Sequence, residues 1–190
     1  ASVCFAGLFA FEHRGGMKRV VMTTPLGRRK TVDAKLLASG CAAALLWALV
    51  GLPRLIVVLR DYGLPAPFAP AMSLSDYLHL PGWLPLAGVL ALAGLARLAA
   101  VLCMAAVTLW LSEVLGSALS AMFLSALVFC LPPMLALSGL WPLRWVGAYP
   151  LFHLAELLRR PGDGAAGLIL LGLAAAVCWL CVDRLRARWE

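Results

Sequence analysis

Trp83 to Leu111 reads WLPLAGVLALAGLARLAAVLCMAAVTLWL, twenty-nine residues with one charged side chain, Arg97. A helix over this run is about 43 Å long at 1.5 Å per residue. Roughly 20 apolar residues suffice to cross a hydrocarbon layer of about 30 Å. The Leu, Ala and Val are spread around the helix instead of forming one stripe, as expected where lipid and other helices surround it. A membrane strand is excluded, because the run is too long and too rich in Leu and Ala.

Three more runs share this character, at 34–59, 115–139 and 165–182. Residues 1–11 form a further apolar stretch, expected to be the end of a span whose start is missing, since no basic region precedes it as in a signal peptide. The expected fold is an all-α, polytopic membrane bundle, one transmembrane domain over 1–190. It holds four complete spans plus the end of a fifth. Composition requires the same. The 190 residues are 63% hydrophobic and 13% charged, whereas a soluble domain carries about a quarter charged residues. A chain this small keeps too much surface to hide that excess in one core.

The net charge of +7 would point to nucleic acid in a soluble protein. Here the cations are distributed by topology, and no nucleic-acid partner is expected. Segment 14–35 carries Arg14, Lys18, Arg19, Arg28, Arg29, Lys30 and Lys35, and the tail at 183–190 adds Arg184, Arg186 and Arg188. Four spans separate the two regions, so they share a side. The other side receives Arg60, Arg144, Arg159 and Arg160. Ten cations against four place the basic loop and the C-terminus in the cytoplasm, in an inner (plasma) membrane. Trp83, Trp141, Trp145, Tyr62 and Tyr149 then fall near the outer interface, where amphipathic rings settle.

The outer connections differ. Residues 60–82 contain Pro65, Pro67, Pro70 and Pro81 around Ser75-Asp76-Tyr77-Leu78, which is expected to start a helical turn. Residues 140–164 contain Leu151 to Leu158, amphipathic enough to lie in the membrane interface. Pro132-Pro133 is expected to break or kink its span, with a re-entrant turn beside it.

The cytoplasmic segment 12–33 is the most patterned. After Glu12 come Gly15 and Gly16, where the chain turns freely. Met17, Val20 and Val21 fall on one face of a short helix, which Thr23, Thr24, Pro25 and Gly27 stop. Arg28 to Lys35 then climbs into the next span. An apolar face displayed there needs a partner or a lipid surface.

The order Glu12, Gly16, Thr24-Pro25, Gly27-Arg28-Arg29 and Lys35 resembles the cytoplasmic loop of type-2 ABC exporter permeases (the ABC-2 type). The resemblance implies six spans in the intact protein, with residues 1–11 ending the second and the four complete helices forming the third to sixth. It makes the short helix a coupling helix that docks on a separate ATP-binding subunit through Met17, Lys18, Arg19, Val20, Val21 and Met22. Glu12, Gly15, Gly16, Thr24, Pro25, Gly27, Arg28, Arg29 and Lys35 would shape the loop, Glu12 bracing Arg28 or Arg29. A second permease copy or a paralogue would complete the transporter. ATP and Mg would lie on the partner, with no cofactor in this chain. The residues alone also fit a merely solvated basic loop.

No G-x-x-x-x-G-K-[ST] occurs, so ATP hydrolysis by this chain is not expected, and no Ser-His-Asp grouping suggests catalysis. Arg97 sits near mid-span, where an Arg costs about 2.5–3.5 kcal/mol. It either lines a transport path, meeting an anionic lipid-like substrate, or snorkels or pairs with an acid on a neighbouring helix. Glu113 is expected at the cytoplasmic turn before the 115–139 span. Cys178 and Cys181 form a C-x-x-C without visible partner ligands, and inert small thiols are the better reading. His153 and Glu156 have i, i+3 spacing, but two ligands make no metal site. The rival functions are a membrane-embedded lipid-modifying enzyme, which needs acids, histidines or a metal motif at one depth, and a non-transporting assembly or immunity subunit.

Overall fold

The computed structural model describes residues 5–6, 23, 27–61, 67–138, 148–159 and 163–189. Four long helices carry the chain: α1 (Gly27–Asp61), α2 (Leu86–Leu115), α3 (Ala118–Leu137) and α6 (Asp163–Ala187). Two short ones, α4 (Tyr149–Phe152) and α5 (Leu154–Leu157), lie between α3 and α6. The α1–α2 connection holds 3-10 turns at Ala71–Ser73 and Ser75–Tyr77, the second where a helical turn is expected. Among the described residues there is no strand, only one isolated bridge between Pro70 and Pro85. All four long helices contain segments long and apolar enough to cross a membrane. The fold is an all-α bundle.

Helix α2 is the centre, packing against α1, α3, α6 and both short helices. Through its middle the buried face is small, with Ala93, Ala96, Ala100, Cys103, Ala105 and Ala106, and the larger Val89, Leu109 and Leu111 are buried toward its ends. Small side chains let helix backbones approach, and in lipid close packing drives helix association. The outward faces of the other helices are apolar, with Leu49 on α1, Phe123 on α3 and Trp179 on α6 all largely exposed. That inversion suits a surface that meets lipid.

The α2–α3 turn is set by Gly116, whose φ of 61° is left-handed and whose N–H donates to the Ser112 carbonyl. Any other residue there is strained by its Cβ, by about 1–2 kcal/mol. With only Gly116 and Ser117 between them, α2 and α3 form an antiparallel hairpin. Glu113 therefore sits in the last turn of α2, at the turn into α3, and it is buried at 3% exposure.

Three expectations need correction. First, α3 continues through Pro132-Pro133 to Leu137 without a break. The prolines withhold amide donors only near the helix end, where one further turn follows, so little of the ladder is lost. Second, α1 begins at Gly27, so the stretch to residue 33 is helix continuous with the span and not loop. At 35 residues, α1 is about 52 Å long and outreaches the hydrocarbon layer. Third, the apolar stripe of the 151–158 stretch faces protein and not lipid. Leu151, Leu154, Leu157 and Leu158 are buried in a core with α2 and α6 residues. An apolar stripe satisfies itself equally against lipid or protein, so its pattern does not choose between them. The groove chooses here: a Cβ on Gly167 of α6 would sit 2.6 Å from Leu154 Cδ1, and glycine lets that leucine settle.

Candidate functional site

The alternating helices give the bundle two ends with different chemistry. One end gathers the start of α1, the end of α2 and the end of α6. Buried Val32, Leu109, Leu185, Trp189 and Phe5 form its core. The Ser112 hydroxyl donates to the Ala6 carbonyl at 2.6 Å, which brings the described part of the 1–11 stretch to this end. Around the core, Arg186 donates twice to Asp33 Oδ1, at 2.8 Å and 3.0 Å, and the Lys35 ammonium lies 5.7 Å above the Trp189 ring. The basic start of α1 and the basic end of α6 therefore meet.

The residues expected to dock a partner or shape the loop are mostly outside the described residues. Glu12, Gly15, Gly16, Met17, Lys18, Arg19, Val20, Val21, Met22, Thr24 and Pro25 lie there, and of the flanking segment Thr23 is described as helical and exposed. Gly27, Arg28 and Arg29 form the first turn of α1. Lys35 is described in full and reaches the tail through Trp189.

The opposite end is built by the two long connections clasping one another. Residues 67–85 fold back on the start of α2, with Ala71 donating to the Leu84 carbonyl at 2.8 Å and Leu86 to the Ala69 carbonyl at 3.0 Å. The α4–α5 hairpin packs beside this loop. Tyr77 donates its hydroxyl to the Ala155 carbonyl at 3.4 Å, and His79 Nε2 lies 2.8 Å from the Leu158 carbonyl. Asp76 and Arg159 form an ion pair at the rim. His153 stacks on Tyr149 at 4.3 Å between ring centroids, and its Nδ1 lies 3.2 Å from the Tyr149 carbonyl. Burial raises the Tyr77 phenol above its usual 10.0, opposed by nearby Arg159 and assisted by Asp76.

Arg97 joins this end from inside α2. Its Nε donates to the Phe152 carbonyl at 3.3 Å, so its protein contact is a backbone oxygen on the hairpin. The described ion pairs, Asp33–Arg186 and Asp76–Arg159, involve other residues, which sets aside the expected acid on a neighbouring helix. Its side chain climbs toward the helix N-terminus, the direction Cβ takes in any α-helix. His153 and Glu156 remain two residues without a third: among the described residues no group of three His, Cys, Asp or Glu side chains converges as a metal set would. Cys178 packs against the core that contains Cys103, and both Cys178 and Cys181 are partly buried.

Sequence spacing missed the clasp. Asp76, Tyr77 and His79 stand some eighty residues from their partners, and no local periodicity links them. The only hint was compositional: polar side chains in a proline-rich loop beside a second polar-flanked apolar stripe.

No protein-family model, curated protein or solved structure matches the chain. Its fold defines a class: a multi-pass, all-helical membrane protein with, among the described residues, four long apolar helices of which α2 is the central one.

Proposed function

We propose that this chain is the transmembrane permease subunit of an ATP-driven exporter of the ABC-2 type, in which a separate subunit hydrolyses ATP. The observation that carries the reading is the order Glu12, Gly16, Thr24-Pro25, Gly27-Arg28-Arg29 and Lys35, delivered into the first turns of a helix long enough to cross the membrane. The cation bias favours a cytoplasmic position for that end, together with the tail that Lys35 and Asp33 contact. A coupling helix there presents Met17, Val20, Val21 and Met22 to an ATPase groove, with Lys18 and Arg19 beside them. Closure of two ATPase subunits would push both coupling helices, rock the spans and change access to a path between two permease copies or a permease and a paralogue. Arg97 is the residue placed to meet cargo on that path.

Docking is tested by co-purification. Tagged full-length protein should capture an ATP-binding subunit, and Val20→Asp or Val21→Asp should reduce capture by at least about tenfold, the effect of some 1.4 kcal/mol. Lys18→Gln should cost less, because a rim charge acts mainly on association rate. Failure to capture any ATPase, with both aspartate variants behaving as wild type, overturns the reading.

A further inference from the structure

Arg97 is a cation held inside a span with most of its donors unused. A guanidinium carries five N–H groups in a rigid fork, and among the described residues its one polar contact is Nε to the Phe152 carbonyl at 3.3 Å. That carbonyl is neutral, so it satisfies one donor and leaves the charge uncompensated. The residue lies eleven positions into α2 from Leu86, about 16 Å along the helix. With its side chain climbing toward the helix start, the guanidinium reaches a level between the hydrocarbon interior and the headgroups. Ala93, Ala96 and Ala100, buried at its flank, add no bulk beside it. Leu90, two turns nearer the helix start and on the same face as Arg97, is exposed.

We infer that Arg97 is the anion-binding element of a site for an amphiphile whose headgroup bears a phosphate-type oxyanion. The free nitrogens of the fork match two oxygens of such a group, the geometry in which guanidinium recognition is strongest. Leu90, on the same face of α2, supplies an apolar surface beside the headgroup. The Phe152 carbonyl fixes the fork at one corner, so the α4–α5 hairpin holds the cation in place. Calling this ligand the cargo rests on the permease reading, whereas its binding does not.

The test uses full-length protein in neutral detergent, equilibrated with equal amounts of phosphatidylglycerol and phosphatidylcholine, with bound lipid counted by native mass spectrometry. Wild type should retain the anionic lipid over the zwitterionic one by about fivefold or more, a preference of about 1 kcal/mol. Arg97→Gln should bring the two lipids to near parity, Arg97→Lys should keep part of the preference, and Arg60→Gln should leave it intact. Millimolar inorganic phosphate should leave the lipid bound. Equal retention of both lipids by wild type overturns the proposal, as does undiminished preference in Arg97→Gln. Displacement of the lipid by phosphate assigns the site to the free ion and overturns the amphiphile. The wild-type and phosphate measurements decide the matter even if Arg97→Gln does not fold. ATPase capture is scored on the same preparations, so loss of the permease reading and loss of this site are seen separately.

Discussion

The two ends of the bundle are closed by different means. At the end where α1 starts and α6 finishes, a buried apolar cluster around Trp189 does most of the joining, with charged contacts arranged outside it. At the other end, side chains of one connection seek backbone carbonyls of another: Tyr77 to Ala155, His79 to Leu158, and Arg97 to Phe152. An apolar cluster tolerates small displacements of its parts. A carbonyl contact has a direction and fixes the α4–α5 hairpin in one pose. The first end is thus held by area and the second by geometry, and each makes its own prediction.

The largest effect is expected at the first end. Trp189 is 1% exposed, and truncating a buried Trp to Ala removes about 3–5 kcal/mol where the site cannot collapse. Trp189→Ala should therefore lower the thermal unfolding midpoint in detergent markedly. A change within the range of surface substitutions, about 0.5 kcal/mol, would show that the cluster is not what joins α1 to α6.

Next comes the hairpin. Gly167→Val would drive a side chain into Leu154, whose Cδ1 already lies 2.6 Å from the position of a Cβ. Overpacking of this kind costs about 1–3 kcal/mol. Adding Leu154→Ala to the Gly167→Val variant should recover much of the loss, since the two share one space. Destabilisation that the second substitution leaves untouched would mean that Gly167 matters for another reason.

These two predictions mark what the sequence could tell. The spans were legible because four runs of apolar residues have no other solvent to face, and the even number of crossings brought residues 30–35 and the tail to one end. Arg97 was legible as an anomaly because one cation in twenty-nine residues stands out. Its partner was not, since a backbone carbonyl on a distant hairpin leaves no mark in composition. The fate of Leu151, Leu154, Leu157 and Leu158 was hidden for a related reason: an amphipathic stripe looks the same whether it meets lipid or α2. The proline pair misled because its position in the chain does not say how near the helix end lies.

A smaller effect follows from the phenol at the second end. The Tyr77 pKa is raised above 10.0, with burial the main cause. A group whose folded pKa exceeds its unfolded value contributes stability in full below the unfolded value and loses it as pH rises through the folded one. The contribution of Tyr77 should therefore be complete below pH 10.0 and fade above it. At neutral pH, Tyr77→Phe should cost about 1 kcal/mol for the lost hydrogen bond. The gap between wild type and Tyr77→Phe should narrow in alkali, where the phenolate no longer donates to the Ala155 carbonyl. A gap that widens with pH would contradict both the sign of the shift and the role of the hydroxyl as donor.

The smallest effect is the most informative for the comparison itself, because among the described residues each end has an ion pair of similar exposure. Asp33 and Arg186 are 52% and 54% exposed, and Asp76 and Arg159 are 50% and 53% exposed. Pairs this open to water are worth about 0–1 kcal/mol and are screened by salt. Double-mutant cycles with Asp33→Asn and Arg186→Gln, and with Asp76→Asn and Arg159→Gln, should give similar small couplings that shrink together as ionic strength rises. If they match, these two pairs do not distinguish the ends, and the difference is to be sought in Trp189 on one side and the three carbonyl contacts on the other. A coupling of several kcal/mol for Asp76 and Arg159 alone would reverse that assignment. The rim charges, rather than the directional contacts beneath them, would then be what holds the hairpin in place.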